Sequence, residues 1–190
     1  MMAAARSPHS LQGKLYELYW FLPLMLLMTG MVGVTMIYSA TGGVWTSGAM
    51  QHLVRLILGL AVMMGIAMTN IRVWLALAYP IYIFAVLLLV GVEFIGVSVN
   101  GSQRWLDVGI TRIQPSEVMK LAIVLALARF YHDLPSWRVS KPLGIFGAVF
   151  ILAIPVALVL KQPDLGTALL LAMTGVVMVF LAGINWRVIM

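Results

Sequence analysis

Val73–Val92 reads VWLALAYPIYIFAVLLLVGV, a run without a single charge that Glu93 closes. A run of about 20 apolar residues is what an α-helix needs to cross a bilayer core of roughly 30 Å. The pattern repeats on both sides. Leu18–Tyr38, Pro142–Leu160 and Leu165–Trp186 are further charge-free runs. Leu56–Ile71 becomes long enough once Leu53 and Arg55 are included, with Arg55 snorkelling to the interface. A sixth candidate, Ser116–Tyr131, has only Leu121–Ala128 between Lys120 and Arg129. It is the least lipid-like of the six, and is expected inside the bundle with its charged first turns facing protein or water.

Composition agrees. The chain is 63% hydrophobic and 9% charged, with a mean hydropathy of +1.04, whereas soluble domains carry about 25% charged residues. The net charge of +6 is no nucleic-acid signal, because the basic residues sit at helix ends and form no patch. Without cysteine there is no disulfide and no thiolate metal site, and His9, His52 and His132 have no metal-ligand spacing. The expected fold is all-α, a polytopic transmembrane helical bundle. Residues 1–17 form a cytoplasmic N-terminal segment and 18–190 the transmembrane domain.

Orientation follows from the basic residues. With the N-terminus in the cytoplasm, the inner side holds Arg6, Lys14, Arg72, Arg129, Arg138, Lys141 and Arg187, and the outer side holds Arg55, Arg104, Arg112, Lys120 and Lys161. Glu93, Asp107, Glu117 and Asp164 also fall outside, so the outer charges are of both signs, as in a site. The N-terminal apolar run is too long for a signal-peptide h-region and has no A-x-A site, so it reads as a retained first helix. The chain stops at Met190, just after a span, and is expected to be the N-terminal part of a longer membrane protein or a truncated one. Pro23 and Pro155 lie within spans and are expected to kink them. Gly30, Gly33, Gly59 and Gly65 suit close helix packing. Trp45, Trp74, Trp105, Trp137 and Trp186 fall near span ends, as an interfacial aromatic belt would.

The densest charge lies in Asn100–Lys120, NGSQRWLDVGITRIQPSEVMK, with Arg104, Asp107, Arg112, Glu117 and Lys120. Ionisable groups at membrane depth are costly, and mark functional sites by default. Gln114-Pro115-Ser116 opens the fourth span and Gln162-Pro163-Asp164 the sixth, on the same side. Proline favours a first helical turn, and Ser or Asp there can cap free N–H groups. Two helix N-termini at one surface, with Arg104, Arg112, Lys120 and Lys161 nearby, point to an anionic ligand; ordinary capping of two exposed helices is the plainer alternative. Glu117 and Lys120 share a helix face and can pair. The pair either makes a polar span start tolerable or lines a cavity, where Lys120 contacts a phosphate and Glu117 holds it or accepts a proton. Asp164 either caps the Thr167 N–H or also balances Lys161 or Lys120. Arg104 suits bidentate phosphate recognition and Trp105 stacking on a sugar; both also read as interfacial anchors, and Glu93 as a snorkelling acid.

These residues carry a family resemblance. Asn100-Gly101-Ser102-Gln103-Arg104-Trp105-Leu106, then Gln114-Pro115-Ser116-Glu117-x-x-Lys120, then Gln162-Pro163-Asp164-Leu165-Gly166-Thr167 resemble the signature runs of the SEDS family (shape, elongation, division and sporulation). Phe180-Leu181-Ala182-Gly183 also fits, and the Asn100–Asp107 run is similar to the rod-shape, RodA-like branch. The resemblance implies a ten-span protein of the bacterial inner membrane, of which about six spans are here. It implies a peptidoglycan glycosyltransferase that polymerises lipid II at the outer leaflet during cell elongation, beside a class B penicillin-binding protein that crosslinks the strands. It associates the Glu117, Lys120 and Asp164 positions with the substrate cavity. The family's catalytic aspartate is expected in a loop beyond Met190, so no residue of this chain is assigned as the base.

The implied reaction needs a base for the attacking sugar hydroxyl and cations for the departing pyrophosphate. Arg104, Lys120 and the helix starts answer the second need. With no metal motif in the sequence, a divalent metal (Mg or Mn) at the pyrophosphate would be held by substrate oxygens and a few acids. Two rivals stand beside the enzyme. A flippase for lipid-linked precursor needs polar residues along a path to the cytoplasm, and the lower halves of the spans have almost none. A scaffold for a penicillin-binding protein has no use for an intramembrane Glu117–Lys120 pair.

Overall fold

The computed structural model describes residues 18–99, 102–107 and 112–184. Residues 1–17, assigned above to the cytoplasm, and Trp186 lie outside these. Backbone amides in hydrocarbon have no water to bond, so a spanning chain closes its hydrogen bonds within helices, and each apolar run is a helix here. The chain divides into two compact units at Asn70 and Ile71.

The first unit holds α1 (Phe21–Ala40) and α2 (Ser47–Met68) packed side by side. The Gly30 position is filled by the Leu56 side chain, and the His52 Nε2 lies 2.8 Å from where a Cβ on Gly33 would stand. Those two glycines therefore do the close packing expected of them. Gly59 and Gly65 do not, since neither has an atom within 4 Å of its Cβ position. Pro23 falls in the first turn of α1, where no helical hydrogen bond is lost, so the expected kink has no cause there. Thr29 and Thr35 fold their hydroxyls back onto Met25 and Val32 carbonyls, at 2.9 and 2.8 Å, leaving an apolar outer surface.

The second unit holds α3 (Ile71–Ile95), α4 (Pro115–Asp133), the short α5 (Ser136–Val139), α6 (Pro142–Lys161) and α7 (Leu165–Leu181). At about 1.5 Å per residue, α1, α2, α3 and α6 are long and apolar enough to cross a membrane. The remaining two of the six expected spans differ. α7 is a shorter apolar helix, ending at Leu181 and not at Trp186 because Gly183 turns the chain with φ +85°. α4 is the core of the unit, packed on α3, α6 and α7. It buries Pro115, Ser116, Met119, Ala122, Ile123, Ala126 and Leu127, as its charged flanks predicted.

Pro155 sits inside α6 and cannot donate to the carbonyl four residues back, that of Ile151. Tyr82 of α3 donates its hydroxyl to that carbonyl at 2.7 Å. Pro80 lies inside α3 as well, an interruption the sequence reading passed over.

The loop between α3 and α4 is not plain loop. It carries β1 (Val97–Val99), β2 (Ser102–Asp107) and β3 (Arg112–Ile113), an antiparallel sheet in the order β1-β2-β3. Val97 pairs with Trp105, and Leu106 with Ile113. The signal was present: the dipeptide Asn100-Gly101 between Val97-Ser98-Val99 and Ser102–Asp107 is a strong hairpin signature.

Candidate functional site

The sheet leads directly into α4, while α6 ends and α7 begins at Gln162–Asp164. Both helix starts therefore stand at one end of the second unit, but they are built differently. At α4, Gln114 is the N-cap without a side-chain bond and Pro115 is the first helical residue; Ser116 is buried and does not cap. At α7, Asp164 itself is the N-cap. Its carboxylate accepts from the Thr167 N–H at 3.1 Å and from the Thr167 hydroxyl at 2.8 Å. Proline precedes the cap in one start and follows it in the other.

Arg104 extends from β2 onto the α6–α7 turn. Its Nη1 stands 3.3 Å from Asp164 Oδ2, Nη2 donates to the Pro163 carbonyl at 2.7 Å, and Nε donates to the Gln162 carbonyl at 3.4 Å. Gln162, itself buried, donates its side-chain amide to the Leu89 carbonyl of α3 at 3.1 Å. One guanidinium thus ties the sheet to the turn, and the turn to α3. The Asp164 side chain is only 12% exposed, and a carboxylate so placed needs a cation and full hydrogen bonding.

Of the two readings of Asp164 from sequence, the cap on the Thr167 N–H is present, and the cation opposite the carboxylate is Arg104 and neither Lys161 nor Lys120. Lys161 lies 4.0 Å from Glu93, so Glu93 is one member of an ion pair and more than a snorkelling acid. Lys120 pairs with Glu117 on its own helix at 2.7 Å, with side chains 29% and 59% exposed. Among the described residues no hydrogen bond or ion pair joins this pair to Arg104–Asp164. An ion pair with one member mostly exposed is worth at most about 1 kcal/mol in water, so Lys120 exchanges partners readily, whereas Arg104 is held by three acceptors. Arg112 reaches Asp107 across the β2–β3 pair at 3.7 Å. Trp105 is half-buried beside Arg104, at the irregularity in the β1–β2 register, where Val97 pairs with Trp105 and Ser98 with Gln103 and Arg104 is the extra residue. Sequence reasoning missed Gln162 as a side chain and saw only its place before proline.

Residues 18–190 match the family described as "Cell cycle protein", which spans FtsW, RodA and SpoVE. The chain belongs to that family. Within this SEDS family it is RodA-like. It is 38% identical over 167 residues to the peptidoglycan glycosyltransferase MrdB of Escherichia coli (strain K12), covering 87% of this chain and 44% of that protein. The crystal structure of the Thermus thermophilus rod shape determining protein RodA matches with a TM-score of 0.76 at 30% identity, over 88% of this chain and 55% of that one. A solved structure described as "Structural coordination of polymerization and crosslinking by a peptidoglycan synthase complex" matches with a TM-score of 0.77 at 30% identity, over 88% of this chain and 48% of that one. The SEDS chain here therefore spans about half the length of its relatives or less, and is a multi-pass membrane protein like them.

Proposed function

We propose that this chain supplies the leaving-group end of a peptidoglycan glycosyltransferase acting on lipid II at the outer leaflet of the bacterial inner membrane, during cell elongation and shape maintenance. The observation that carries it is the Glu117–Lys120 pair in the first turns of the most buried helix, at the same end as the Arg104–Asp164 turn. The relatives' name, peptidoglycan glycosyltransferase, supports the reaction.

In this reading the 4-hydroxyl of an acceptor sugar attacks the anomeric carbon of a donor. The C–O bond to pyrophosphate breaks, and the hydroxyl proton leaves to a base outside this chain. Lys120 releases Glu117 and takes up charge developing on the pyrophosphate, where a positioned cation acts only as charge builds. Arg104, Asp164 and Thr167 hold the wall of the cavity in place, and Trp105 offers a ring to a sugar from the sheet. A divalent ion (Mg or Mn) would be held mainly by pyrophosphate oxygens, because no three His, Asp or Glu side chains converge among the described residues. A class B penicillin-binding protein is the partner that crosslinks the product.

The test is lipid II polymerisation by the protein at the full length of its relatives, purified with its penicillin-binding partner and a transpeptidase inhibitor. Glycan ladders from wild type and not from Lys120→Ala support the reading. Equal ladders move the pyrophosphate site elsewhere; ladders from neither favour a flippase.

A further inference from the structure

At the other end of α6 from the Asp164 turn, three residues form a cluster that the reaction does not use. Trp137 of α5 is exposed, with the Arg138 guanidinium carbon 4.5 Å and the Lys141 Nζ 4.7 Å from its ring centroid. Two cations held on one ring repel each other, and an anion beside them would offset that repulsion. The nearest acid in sequence, Asp133, is engaged by Arg129 at 2.7 Å. Among the described residues neither Arg138 nor Lys141 has an ion pair. Lys141 is also the N-cap of α6, with no side-chain cap there, so the positive end of that helix adds to the same field.

The corner is firmly built. Val139 is buried, Lys141 N–H donates to the Arg138 carbonyl at 3.0 Å, and Gly144 N–H to the Lys141 carbonyl at 2.9 Å. A Cβ on Gly144 would stand 2.7 Å from the Arg138 carbonyl oxygen, so only glycine lets α5 lie this close to α6. From the corner an exposed apolar stripe runs along α6. Leu143, Phe146 and Phe150 recur at spacings of three and four and are 59%, 72% and 68% exposed. A cationic head continuous with an apolar stripe has the shape of an amphiphile's complement, and a free phosphate would use only the head.

We propose that the Trp137–Arg138–Lys141 corner binds the headgroup of an anionic phospholipid, whose acyl chain lies along Leu143, Phe146 and Phe150. Indole rings sit at headgroup depth, and a basic side chain near an anionic membrane surface strengthens binding about fivefold. An aromatic belt alone would hold the protein at the interface without choosing between anionic and zwitterionic lipids.

The experiment titrates delipidated full-length protein in neutral detergent with phosphatidylglycerol or phosphatidylcholine, and follows the first bound lipid by native mass spectrometry. Wild type should prefer phosphatidylglycerol. Arg138→Gln with Lys141→Gln should weaken that lipid by about fivefold per charge removed, with phosphatidylcholine unchanged. Arg138→Lys with Lys141→Arg should keep the preference, and Arg55→Gln should leave it untouched. Phe146→Gln, which keeps both charges, should weaken both lipids and leave the preference for phosphatidylglycerol in place. The proposal is overturned by equal phosphatidylglycerol binding in the double glutamine variant, by no preference in wild type, or by inorganic phosphate displacing the lipid as well as phosphatidylglycerol does.

Discussion

Arg104 Nη1 stands 3.3 Å from Asp164 Oδ2, and the same guanidinium donates to the two carbonyls just before that aspartate. A strand and a helix start, far apart in sequence, are joined there by one side chain. The consequence is a division of labour between the cations. Arg104 is spent on structure, while Lys120, with one half-exposed carboxylate partner, remains available.

Arg104→Ala and Asp164→Asn should each destabilise the protein, and the double variant should cost far less than their sum. Groups in one bonded network couple by about 0.5–3 kcal/mol, and this pair should lie in the upper half of that range. Thermal unfolding in detergent of the two single variants and the double variant gives the coupling; strict additivity would show that the contact carries no energy.

Lys120→Ala should lower lipid II polymerisation by about a hundredfold or more, as removal of a transition-state charge stabiliser does, without loss of partner binding. Glu117→Gln should cost much less, because it frees Lys120 and does not remove it. A co-purification assay beside the ladder gel separates the two effects, and a Glu117→Gln loss as deep as that of Lys120→Ala would give the carboxylate a direct role.

Tyr82→Phe should cost about 1 kcal/mol, the net value of one hydrogen bond, since it orphans the Ile151 carbonyl that Pro155 leaves free. In a Pro155→Ala background the helix satisfies that carbonyl itself, and Tyr82→Phe should then cost almost nothing. Equal costs in both backgrounds, read from melting curves, would sever the link between the two residues.

Gly144→Ala should destabilise more than Gly175→Ala. Beside Gly144 the obstacles are the Val139 and Arg138 backbone carbonyls, whereas beside Gly175 they are the tip of Leu152, which can turn aside. Overpacking against fixed atoms costs about 1–3 kcal/mol. Melting temperatures of the two variants should differ in that order.

The sequence alone located the four long apolar helices. Apolar length is a local property, set by the thickness of hydrocarbon, so Pro142–Leu160 could be read almost to the residue as α6, and Val73–Val92 as the middle of the longer α3. The interior place of α4 was legible for the same reason, because Lys120 and Arg129 leave too short a run for lipid. The motifs also named Arg104, Glu117, Lys120 and Asp164 as a group. Which cation meets which acid was not legible, since Arg104 reaches Asp164 only because the β1–β2–β3 sheet carries it over the α6–α7 turn. The two helix starts looked alike in sequence and differ in structure, because capping depends on where the backbone leaves the helix and not on the tripeptide. Tertiary structure decided the pairing of charges and carbonyls, for contacts between distant segments depend on how helices pack, and no local pattern encodes that.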